Sequence, residues 1–187
     1  RRSYLGIIWS LLEPLCTMIV LTVVFGTILG NRTKEFSVYI LCGRLLFSFY
    51  STATKAALTS IRKNASMIKK VYVPKYLYTL SSILYNYIIF LISLIVLVVV
   101  AAVLKVKPTI YLVQAPIALI LILMISVGCG FILATLGVFF RDMEYLWSVA
   151  LMLIMYMCAI FYEPERLLKS GFYWILKYNP LFCIIDI

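Results

Sequence analysis

Two cationic stretches carry the chemistry available to this sequence. Five Lys or Arg (Arg62, Lys63, Lys69, Lys70, Lys75) fall within residues 62–76, between long apolar runs. In hydrocarbon each would cost about 2.5–3.5 kcal/mol at a helix centre, so residues 62–76 are expected as an aqueous loop. Positive loops of this length stay preferentially on the cytoplasmic side, where the cations also attract anionic lipid head groups. The second stretch is a stripe. Arg44, Ser48, Ser51, Lys55 and Thr59 recur at steps of four, three, four and four, which predicts one face of a helix. Two readings of the stripe stand. It lines a water-filled path or the site of an anionic substrate, or Arg44 and Lys55 snorkel to opposite surfaces while the hydroxyls pack against neighbouring helices.

Other chemistries are excluded by what the sequence lacks. There is no histidine, which removes the commonest general base, proton shuttle and metal ligand. Cys16, Cys42, Cys129, Cys158 and Cys183 are scattered, mostly in apolar runs, and read as small core hydrophobes rather than a metal site or disulfide framework. No P-loop, Gly-x-Ser-x-Gly or zinc motif is present, so the chain offers no nucleotide, cofactor or metal site of its own by these signatures. Active transport would take its energy from another subunit or an ion gradient. The lack of regularly placed carboxylates and histidine within the apolar runs argues against a proton-coupled carrier. Asp142 and Glu144 are the only obvious carboxylate pair. A membrane-embedded enzyme acting on a lipid-linked sugar would rest on them. A structural scaffold without transport is the remaining alternative.

The elements that must position these residues are apolar helices. Hydrophobic residues make up 65% of the 187, charged residues 13%, and the mean hydropathy is +1.08. That composition lies outside the range of soluble domains and identifies an integral membrane protein. The net charge of +10 follows from topology and lipid contact, because the cations sit beside apolar runs rather than forming a free patch; no nucleic-acid partner is expected. The expected fold is all-α, a polytopic helical bundle in one transmembrane domain over residues 1–187, with spans at 11–30, 37–60, 77–104, 111–140 and 145–162. Pro14 suits a first helical turn, and Trp9 suits the interfacial belt. Asn31–Phe36 and Lys105–Thr109 read as external turns. Arg141 and Asp142 fall in a short cytoplasmic turn. On the fourth span Ser126, Gly130, Ala134 and Gly137 form a small-residue ridge suited to tight helix packing. Residues 163–187 read as short helices in or dipping into the outer interface.

The order and spacing of several motifs give the chain a wider resemblance. They are Tyr4-Leu5-Gly6-Ile7-Ile8-Trp9 with Pro14, Asn64-Ala65-Ser66-Met67-Ile68-Lys69-Lys70-Val71-Tyr72-Val73-Pro74-Lys75, Phe139-Phe140-Arg141-Asp142 with Tyr145-Leu146-Trp147, Ile160-Phe161-Tyr162, and Asn179-Pro180. Along essentially its whole length the chain resembles the membrane-spanning subunits of ABC-2 type exporters for teichoic acids, O-antigens and capsule-like polysaccharides. The resemblance implies the ABC-2 (type V exporter-like) fold, with a sixth span beyond the five. It implies a multi-pass protein of the bacterial plasma membrane that works as a homodimer. Each copy would dock to an ATP-binding subunit carrying ATP and Mg, and the cargo would be an undecaprenyl-diphosphate-linked glycan or similar lipid-linked substrate. Asn64, Ser66, Met67, Ile68, Lys69, Lys70, Val71, Tyr72, Pro74 and Lys75 would then form the coupling helix that enters a groove of the ATPase. Residues 1–9 would be the tail of an amphipathic interfacial helix, and 163–187 an external re-entrant segment. Arg44 departs from the pattern, standing where such permeases carry an apolar residue. With 14 Tyr and 11 Phe, stacking faces for sugar rings are available, and Tyr156, Phe161 and Tyr162 are the candidate channel or gate residues. A lipid or drug cargo is the alternative within the same family.

Overall fold

The computed structural model describes Cys16, residues 34–103 and residues 115–158. Its elements are α1 (Lys34–Lys63), α2 (Ala65–Ile68), α3 (Lys75–Val103), α4 (Ala115–Phe139) and α5 (Met143–Met157). No strand occurs among the described residues. The expected span 37–60 lies inside α1, which runs on to include Arg62 and Lys63. Those two cations fall in the last helical turn, where positive charge opposes the negative end of the helix dipole. The expected spans 11–30 and the 163–187 segment lie outside the described residues, apart from Cys16.

Composition explains which helices suit a membrane. Over Lys75–Ile95 and Ala115–Phe139 the chain is long and apolar enough to cross one; at 1.5 Å per residue the 25 residues of α4 reach about 38 Å against a hydrocarbon core of about 30 Å. Large apolar side chains stand exposed on α3 at Leu84, Ile88, Leu91, Ile95 and Val98, and on α4 at Ile117, Ile120, Met124 and Ile132. Their steps of three, four and, from Met124 to Ile132, eight put them on one outward face of each helix, a surface suited to lipid. By contrast α1, at 30 residues, does not reach the same apolarity, because Arg44, Lys55 and a series of hydroxyls interrupt it.

The least apolar long helix is nevertheless the central one. Helix α1 packs against α3, α4 and α5, and α3 touches α4. Leu45, Leu46, Phe47, Phe49, Tyr50, Ala53, Thr54, Ala57, Leu58 and Ser60 of α1 are buried. What remains uncovered is the polar stripe: Arg44, Ser48, Ser51 and Thr59 are half-buried, and Thr52 and Lys55 are exposed. Against α3, Phe49 stacks on Phe90 at 4.9 Å between ring centroids and meets Tyr87 edge-on at 5.5 Å. Ile83 is fully buried beside them. Against α4 the contact is made by the small-residue ridge. A Cβ on Gly130 would lie 2.6 Å from Ile83 Cδ1 and 3.2 Å from Ala57 Cβ, and one on Gly137 would collide with the Leu58 carbonyl oxygen. Glycine is required there by close approach, which brings the α4 backbone against α1.

Several hydroxyls of this bundle are satisfied within their own helix, although the buried Ser126 Oγ has no partner among the described residues. Thr52 Oγ1 donates to the Ser48 carbonyl (2.8 Å), Thr54 Oγ1 to Tyr50 (2.7 Å) and Ser93 Oγ to Ile89 (3.1 Å). Bonding to the carbonyl one turn back lets a helix carry polar side chains without leaving a donor unpaired in hydrocarbon. The pairings across helices show that α1 and α4 run towards the end bearing residues 64–74 and 140–142, while α3 and α5 run away from it.

Candidate functional site

At that loop end, local sequence dictates a compact projection. Asn64 stops α1. Its Nδ2 donates to the Ser60 carbonyl (2.7 Å), and its own carbonyl accepts the Met67 and Ile68 N–H groups (both 3.0 Å), starting the single turn α2. The N–H groups of Lys70 and Val71 then bond to the Met67 carbonyl at 3.0 and 3.1 Å. Val71–Pro74 is not helical, consistent with proline's exclusion of the residue before it from helical geometry. The Pro74 carbonyl accepts the Leu77 N–H (3.1 Å) as α3 begins.

The base of this projection is pinned. Ser60 Oγ donates to the Ala57 carbonyl (2.7 Å), which leaves Thr79 Oγ1 to donate to Ser60 Oγ across 3.0 Å. Both hydroxyls are buried, so the end of α1 and the start of α3 are joined through a dry hydrogen bond. Beyond the base the side chains point away. Ser66, Met67, Lys69, Lys70, Val71, Pro74 and Lys75 are exposed, Asn64 and Ile68 half-buried, and Tyr72 is 100% exposed. The result is a knob with an aromatic and two large apolar side chains set among lysines. Exposed apolar groups rimmed by polar ones mark protein-binding surfaces.

The second loop lies beside it. Phe140, Arg141 and Asp142 are exposed between α4 and α5, and the Asp142 carbonyl accepts the Tyr145 and Leu146 N–H groups (3.1 and 3.2 Å) to open α5. A shallow hollow of about 620 Å³ lies along Leu136, Phe139, Phe140 and Met143, with Arg141 and Asp142 on its lining. Glu144 forms an ion pair with Arg62 of α1. Sequence had offered Glu144 only as the partner of Asp142; its charge is engaged by α1 instead. Among the described residues no group of three His, Cys, Asp or Glu is placed to hold a metal ion.

Higher along α5, polar contacts continue. Trp147 Nε1 donates to Thr54 Oγ1 (3.0 Å), whose own proton goes to the Tyr50 carbonyl, and the Trp147 and Tyr50 rings lie 6.4 Å apart. Arg44 Nη1 donates to Met155 Sδ at 3.2 Å, so the outlying cation of the stripe is directed to α5 rather than outward. Ser48, Ser51 and Lys55 lie along the open face of α1, with Lys55 nearest the knob and exposed. Tyr156, exposed, follows Met155 on α5. Phe161 and Tyr162 lie outside the described residues. The residues that sequence reasoning missed, Arg62 with Glu144 and Thr54 with Trp147, sit on different helices, and no local periodicity links them.

Comparison with known proteins gives a consistent result. The family of ABC-2 type transporters matches residues 1–187. An O-antigen export system permease protein RfbA of Klebsiella pneumoniae is 28% identical over 186 residues, covering 99% of this chain and 71% of the relative. A protein of the same name from Myxococcus xanthus is 25% identical over 182 residues, covering 97% and 70%.

Proposed function

Because the chain belongs to the ABC-2 type transporter family, a family of membrane transport permeases, we propose that it is the membrane-spanning subunit of an ATP-driven exporter. Its cargo is a lipid-linked polysaccharide of the O-antigen type, carried across the bacterial plasma membrane. The names of its relatives support this cargo over a drug or free lipid; teichoic acid and capsule-like glycans share the same lipid-linked chemistry. The chain crosses the membrane five times, with residues 62–76 and 140–142 in the cytoplasm. Two copies enclose the path.

The observation that carries the reading is the knob at residues 64–75. It is exposed, basic and aromatic at its tip, yet pinned at its base by the Ser60–Thr79 bond. A flexible loop would absorb a push from a partner, whereas a pinned one passes it to α1 and α3. ATP and Mg bind in the partner subunit; their turnover moves the knob, and packed helices move with it as bodies. Ser48, Ser51 and Lys55 form the polar wall of the path, on the face of α1 that the described helices leave less covered, with Arg44 at the edge of that wall beside α5. Charged residues in a membrane helix belong against water or an opposite charge, and a diphosphate-linked lipid brings such a charge. Tyr156, Phe161 and Tyr162 serve as sugar-facing or gate residues.

Affinity purification of the full-length protein in mild detergent tests this. A P-loop ATPase in equal amount, with ATP hydrolysis in the purified complex, is the expected result. A folded protein that purifies without one overturns it and returns attention to a scaffold.

A further inference from the structure

Helix α1 hands its loop end to three neighbours by different means. It meets α3 through the buried Ser60–Thr79 hydrogen bond, and α4 through the near-backbone contact of Gly137 with Leu58. Towards α5 the packing is thin, since Leu151 is the buried residue within that helix. What joins α5 at this end is the ion pair of Arg62 with Glu144. Arg62 lies two residues before Asn64, where the knob begins, and Glu144 lies in the first turn of α5. Each charge also suits its own helix end, the cation at a C-terminus and the carboxylate at an N-terminus.

Resting on the exporter reading, we propose that Glu144 is a positioning residue: through Arg62 it latches the knob to α5, so that a displacement of residues 64–74 reaches α5 as well as α3 and α4. The two side chains are 38% and 40% exposed. Ion pairs of such exposure contribute little to stability, so folding alone gives little reason for this one. The Glu144 Oε1 that meets Arg62 is itself buried, with no hydrogen-bond partner of its own, so opening the pair would strand that oxygen and the closed latch is the favoured state. Its position decides its use. Without it, the loop end of α5 keeps only the thin contact with its neighbours, and Trp147–Thr54, further along, becomes the first bond between α5 and α1.

The test uses the full-length protein with its ATPase partner. Spin labels go at Lys63→Cys and Val149→Cys, with the natural cysteines replaced, and their separation is measured without nucleotide and with ATP plus vanadate. With the pair intact, the separation stays single and unchanged between the two states. With Glu144→Gln it shifts by about 1–2 Å, the scale of helix movements at interfaces, or loses its single value, while ATP hydrolysis is retained. Exchanging the charges, Arg62→Glu with Glu144→Arg, restores the unchanged separation. An unaltered separation in Glu144→Gln, or a charge exchange that fails to restore it, overturns the latch and leaves the exporter reading standing. Absence of an ATPase partner overturns both.

Discussion

Helix α1 has two seams of opposite character. Towards α4 it is closed by size: Gly137 leaves no room even for a methyl group against the Leu58 backbone, and at Gly130 a methyl group would have to displace the end of the Ile83 side chain beside Ala57. Towards α5 it is closed by bonds: Arg62 to Glu144, Trp147 to Thr54 and Arg44 to Met155. A seam without free volume resists sliding, because every small shift meets repulsion. Polar contacts that exchange partners permit movement at a modest cost. The difference teaches that α1 and α4 move together, while α5 is the neighbour whose position can be set.

Substitutions at the two seams should therefore fail differently. The largest effect is expected at Gly137. Gly137→Leu drives a side chain into the Leu58 carbonyl, which belongs to a helix backbone and cannot rotate away, so loss of about 3 kcal/mol or more, or no folded protein, follows. Gly130→Ala meets mainly the end of the Ile83 side chain and costs about 1 kcal/mol. Thermal unfolding in detergent reads both, and equal effects at the two positions would remove the argument from close approach.

At the bonded seam the effects are smaller. Trp147→Phe keeps most of the ring against Tyr50 but removes the donor to Thr54, whose hydroxyl retains its bond to the Tyr50 carbonyl. The expected loss is about 0.5–1.5 kcal/mol, the net worth of one hydrogen bond. Hydrogen exchange should rise along the start of α5 while α4 stays protected. Equal loosening of both helices would mean that the seams are not distinct.

How far the sequence revealed these seams depends on the range of the signal. The ridge Ser126, Gly130, Ala134, Gly137 was legible because small residues at steps of four and three define a face without reference to any partner; all four are buried. The stripe on α1 was legible by the same periodicity, and from Ser48 to Thr59 it stands on the less covered face, while Arg44 turns to α5. The central position of α1 was not legible. Hydropathy ranks α1 lowest, yet Leu, Phe and Ala on its other faces bury it, and a mean over the helix hides that division. The bonded seam was out of reach for another reason. Trp147 and Thr54 are 93 positions apart, Arg44 and Met155 are 111, and such pairs depend on how helices are placed rather than on spacing along one. Asp142 and Glu144 stood out in the sequence only as neighbouring carboxylates; the partner of Glu144, Arg62, lies on another helix and could not be read from their spacing. Arg44 looked out of place in the sequence for a similar reason, before Met155 supplied a contact for it.

The central claim is that the pinned knob, and not the stripe, is where an ATPase subunit docks. The most direct measurement compares the amount of ATPase retained by the full-length protein carrying Lys69→Glu with Lys70→Glu against that retained by Lys55→Glu. The first pair lies on the exposed knob and Lys55 on the open face of α1. The account predicts that reversing Lys69 and Lys70 lowers retention at least tenfold with unfolding temperature unchanged, about 1.4 kcal/mol or more of lost docking energy, while Lys55→Glu leaves retention intact. Full retention by the Lys69 and Lys70 variant, or its loss with Lys55→Glu, would contradict it.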